Sequence, residues 1–92
     1  MTINNTLATR QNTHGDFETG AVISQDLCEY MRGKPNWRNL TCAQRESLEM
    51  IAHKIARILN GNSDFADHWH DVAGYATLAE KLCTNYDEAN HV

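Results

Sequence analysis

The run from Thr41 to Gly61 constrains this chain more than any other feature. Leu48, Ile51, Ala52, Ile55, Ile58 and Leu59 recur at spacings of three and four, which puts them on one face of an α-helix rather than on one side of a strand. Thr41 followed three residues later by Gln44 is a capping box, in which the hydroxyl and the amide each satisfy a free backbone N–H. Asn60-Gly61 offers a left-handed C-terminal cap. A helix with a single apolar face must bury that face against another element.

Two flanking segments carry matching faces. Between Asp16 and Arg32 the small or apolar residues Phe17, Gly20, Ala21, Ser24, Leu27, Cys28 and Met31 keep helical spacing, and Gly33 is a natural stop. Ser63 or Asp64 caps a third helix with the stripe Phe65, Trp69, Val72, Ala73, Ala76, Ala79 and Leu82. The only proline, Pro35, falls between the first two helices, with Trp37 expected to pin that loop. The pattern predicts an all-α fold, a three-helix antiparallel bundle over residues 15–83, with Leu48, Ile51, Ile55, Trp69, Val72 and Ala76 in its core. Residues 1–14, rich in Asn and Thr, read as a flexible N-terminal arm, and 84–92 as a flexible tail. A chain of 92 residues buries a modest share of its surface, so the bundle is expected to be completed by homo-oligomerisation, as a homodimer or larger.

Charge and cysteine usage exclude several classes. Eight basic residues are scattered among twelve acidic ones, for a net charge of -4, which does not suit duplex nucleic acid. Cys28, Cys42 and Cys83 form no close pair, which argues against a disulfide framework and a zinc knuckle. No apolar run approaches the ~20 residues of a membrane span, and the first residues lack a signal-peptide core. A cytoplasmic protein that does not enter the membrane is the expectation.

The chemistry-bearing side chains flank the apolar stripes. Glu46, Glu49 and His53 share one face of the second helix; Asp64, Asp67, His68 and Asp71 share one face of the third. Carboxylates grouped in this way suit a hard divalent cation such as Mg²⁺ or Mn²⁺, with Glu46, Glu49, Asp67 and Asp71 as ligands. Lys54 and Arg57 would meet phosphate oxygens. Solvated helix faces are the alternative, under which Glu46 and Asp64 simply favour the helix N-termini they occupy. An antiparallel pair with a short connection places Glu46 and Glu49 far from Asp67 and Asp71, so a composite site needs a second subunit or a steep crossing. If the four do converge, neutralising Glu49 and Asp71 should relieve repulsion and leave the metal-free protein at least as stable. Within Asp67-His68-Trp69-His70-Asp71, His68 and Asp71 are one turn apart, but with His53 as the only further internal histidine the ligands are too few for zinc, and no serine or cysteine sits in a nucleophile pattern. Gly74 within the third helix calls for either close packing of another helix or space for a ligand.

His14-Gly15-Asp16-Phe17, Lys54-Ile-Ala-Arg57 and Asp67-His-Trp69-His-Asp71-Val-Ala-Gly74-Tyr75 resemble a family of small phage and prophage proteins. That resemblance implies a viral or prophage origin and a bacterial cytoplasm. The chain is also similar to the MazG-type all-helical nucleotide pyrophosphohydrolases, in which an E-x-x-E pair and a later E-x-x-D pair hold magnesium. Glu46-Ser-Leu-Glu49 matches the first pair; His68-Trp-His-Asp71 departs from the second, leaving Asp67 as a substitute ligand. Two functions follow as expectations. One is a metal-dependent module that binds or hydrolyses nucleotide phosphates. The other is a non-enzymatic phage protein that inhibits a host defence complex, in the manner of an anti-CRISPR, by occupying a basic groove on a bacterial host protein.

Overall fold

Four α-helices, α1 (Ile3–His14), α2 (Phe17–Arg32), α3 (Cys42–Asn60) and α4 (Ala66–Lys81), with a 3₁₀ turn at Pro35–Asn39, make up the computed structural model, which describes residues 3–86. The all-α expectation holds, and no strand occurs among the described residues. Most of the expected tail, from residue 87 on, lies outside the described residues.

The local signals act as their chemistry requires. Thr41 accepts from Gln44 N at 3.1 Å while Gln44 Oε1 accepts from Thr41 N at 3.0 Å, so both halves of the capping box are formed. Asp16 caps α2 by accepting from Thr19 N at 2.9 Å. Trp37 is half-buried, and Arg45 fixes its turn by donating from Nε to Trp37 O at 3.2 Å and from Nη2 to Arg38 O at 2.9 Å. The cap expected from Ser63 or Asp64 does not form. Phe65 takes that place without a side-chain bond, and Asn62 Oδ1 accepts from Asp64 N to close the turn instead.

Three findings differ from the sequence reading. The expected arm is helical: α1 packs on α2 and α3, so the described residues hold four α-helices and not three. Gly61 is not left-handed, its φ being -117°. Most important, the expected core is largely uncovered. Leu48 is 38% exposed, Ile55 36% and Trp69 56%, while Ile51 and Val72 are half-buried and Ala76 is exposed. The fully buried apolar residues are Cys28, Ala52 and Ala56 alone among those described.

The reason is the layout of the helices. α3 is flanked by α2 on one side and α4 on the other, forming a layer, and α1 lies across only one of its two broad faces. The molecule measures 47 × 30 × 21 Å, with a radius of gyration of 15.6 Å against about 12 Å for a compact chain of this length. One broad face therefore carries α1 and the polar residues of α3, and the other carries the apolar stripe.

Candidate functional site

The connection from α1 to α2 crosses the end of α3 at a distance that only glycine permits. Gly15 has φ +80°, and a Cβ there would collide with Asn60; a Cβ on Gly61 would collide with the Thr13 and His14 backbone. The carbonyl of Thr13 accepts from Asn62 N at 3.0 Å and from His68 Nε2 at 2.8 Å, which fixes the proton of His68 on Nε2. His68 is 1% exposed and packs edge-on against both His14 and Phe65, with ring centroids 4.9 Å apart in each case. Asn60 Nδ2 completes this clasp by donating to Asp16 O at 2.9 Å.

Held in this way, α1 encloses a groove of about 500 Å³ with α2 and α3. Its basic end presents Arg10, His14 and Arg57; Ser24 and His53 lie on its floor, joined by a 2.9 Å hydrogen bond between Oγ and Nδ1. Leu7, Ala21 and Ala56 supply apolar walls, and Phe17, 90% exposed, contributes at the rim. Neither Arg10 nor Arg57 is in a salt bridge among the described residues. Burial holds the His14 pKa below the usual imidazole value, and the positive charges of Arg57, Arg10 and Lys54, with the neighbouring His68 ring, add to that effect. The groove's one carboxylate, Asp16, is turned onto its helix cap, and that bond from Thr19 keeps it ionised below the usual range. In a chain of net charge -4, this is a concentrated positive locus.

The residues expected to bind metal are placed differently. Glu46 is exposed, Glu49 is ion-paired with Arg32, and Asp67 is exposed in the first turn of α4. Asp71 accepts from the buried Lys54 ammonium at 2.9 Å, and that bond holds its carboxyl below the usual range. Because Lys54 lies opposite Asp71, Glu49 and Glu46 fall about 8–12 Å further along the helix axis. Among the described residues no three His, Cys, Asp or Glu side chains converge as a cation site. Within one chain the donor set does not fit Mg²⁺ or Mn²⁺, since two of its four carboxylates are already neutralised by cations of the protein. Of the two residues expected to hold phosphate, Arg57 lines the groove, whereas the Lys54 ammonium is committed to Asp71.

Sequence reasoning misses Arg10, His14, Ser24 and His53 as groove residues because α1, which closes that side, has no apolar stripe to mark it as a helix. Gly74 meets nothing within 4 Å of where its Cβ would be, so among the described residues no other helix packs against it. It borders instead an open depression that also includes His70, Asp71 and Tyr75.

A four-helix all-α domain with a basic groove on one face is the class the fold defines. The chain belongs to the family described as a domain of unknown function, DUF6378, whose model matches residues 2–83. No curated protein and no solved structure matches it.

Proposed function

We propose that this protein is a nucleotide-phosphate-binding module whose groove between α1, α2 and α3 receives the phosphate at its basic end. The observation that carries this reading is the presence along one groove of His14 and of two guanidinium groups, Arg10 and Arg57, that are in no salt bridge among the described residues. Guanidinium forks match phosphate oxygens in geometry as well as charge. A His14 proton that burial and the surrounding cations disfavour is disfavoured less once an anion is bound beside it. The apolar walls and Phe17 suit the flat, partly apolar base and sugar. Hydrolysis would demand carboxylates that one chain does not bring together, so binding is the activity supported.

Calorimetric titration with nucleoside mono-, di- and triphosphates tests this. Saturable binding that weakens with salt is expected, and Arg57→Ala should weaken it roughly 10- to 100-fold, as the loss of a charge-assisted hydrogen bond implies. Absence of binding by any phosphate ester would overturn the reading. The inhibitor reading is favoured by one observation, the uncovered apolar face, and the next measurement separates the two.

A further inference from the structure

The uncovered face is the counterpart of the groove. With about 100° per residue, Leu48, Ile55 and Leu59 project from the side of α3 opposite to His53 and Arg57, which face α1. On α4, Trp69 and Ala76 lie on the side away from Asp71, whose bond to Lys54 marks the polar side. On α2, Leu27 lies away from the groove residues Ala21 and Gln25. Three helices thus present one continuous apolar platform, and none of these six side chains is buried.

We infer that this platform is covered by a second copy of the chain, so that the protein is a homodimer with its two grooves on the outer surfaces. Area supports a copy of this size as the occupant. The chain exposes 6877 Å², against roughly 5,400 Å² for a compact monomer of 10.4 kDa, an excess of about 1,500 Å². That surplus belongs to the whole chain, Phe17 and Leu82 included, and pairing two copies through the platform removes part of it from both at once, which a chain this small needs more than a large one does. Charge agrees, because Glu46, Asp67, Asp71, Lys54 and Arg57 lie on other faces and the one acid on the Trp69 side of α4, Glu80, sits in its last turn at the margin, so two identical surfaces can share the centre of the platform across a two-fold axis without like-charge repulsion. The strongest apolar periodicity in the sequence then marks the core of the dimer.

Analytical ultracentrifugation of the full chain gives the test. A mass of twice 10.4 kDa at micromolar concentration is expected. A monomer mass across the accessible range would overturn the inference and leave the face to a different protein. Leu59→Glu, at the margin of the platform, should raise the dissociation constant at least tenfold while circular dichroism stays helical. Glu46→Lys, on the opposite side of α3, should leave the mass unchanged. If Ile55→Asp unfolds the chain, the wild-type mass and the Leu59→Glu shift still decide; a dimer indifferent to both Leu59→Glu and Ile55→Asp would place the interface elsewhere.

Discussion

Two glycines separate conformational need from packing need at the scale of the residue. Gly15 combines a positive φ with a backbone crossing, so Gly15→Ala should cost at least about 2 kcal/mol, seen as a fall in Tm of roughly 8 °C or more. Gly74 sits in mid-helix with open space around it, and Gly74→Ala should raise stability by about 0.5–1 kcal/mol. An unchanged or lower Tm would show that something absent from a single chain uses that space. Asp71 carries a prediction of reversed sign. Read as one of four repelling carboxylates, its neutralisation should be harmless; paired with the buried Lys54, it is not. Asp71→Asn should lower the midpoint of chemical denaturation, though modestly, because Asp71 is itself half-exposed and solvent screens its side of the pair. The spacing of Glu46, Glu49, Asp67 and Asp71 was legible in the sequence. The partners of two of them were not, since Arg32 reaches Glu49 and Lys54 reaches Asp71 from neighbouring helices and no periodicity records that.

Among elements, α1 is the one whose attachment depends on pH. His14 ends it, and its folded pKa lies below the unfolded value of about 6.5. The unfolded chain therefore binds more protons on acidification; the stability that neutral His14 provides is present above about pH 6.5 and is lost as pH falls through its folded pKa. Denaturation midpoints should drop between pH 7.5 and 5.5, and His14→Gln should flatten that slope. Asp16 and Asp71, also depressed, add losses only at more acid pH. Phosphate bound beside His14 should raise its pKa, readable as a shift in its NMR titration. Three helices were legible because caps and periodicity act within a few residues: the Thr41/Gln44 box forms as written. α1 was not, because it has no apolar stripe of its own and is fixed at its end by Thr13, Gly15 and Asn60, contacts more than forty residues apart in sequence.

For the whole molecule, periodicity told which residues avoid water but not which partner removes them from it. A core assigned to three helices of one chain lies instead on an open face, since α3 has neighbours on both flanks and α1 covers one side only. If folding and pairing are coupled there, Tm should rise with protein concentration, by mass action, over a hundredfold dilution series in differential scanning fluorimetry. A concentration-independent Tm would place the stability of the fold in the single chain. The Thr13 clasp has a kinetic consequence of its own. α1 touches the rest of the chain far less than α3 and α4 touch each other, and its anchoring bonds collect at one end. It is therefore the unit that opens first, at a fraction of the free energy of global unfolding, and its amides should exchange with deuterium well before those of α3. Since α1 is also a wall of the groove, the lifetime of a bound ligand would be set by how often that hinge at Gly15 swings.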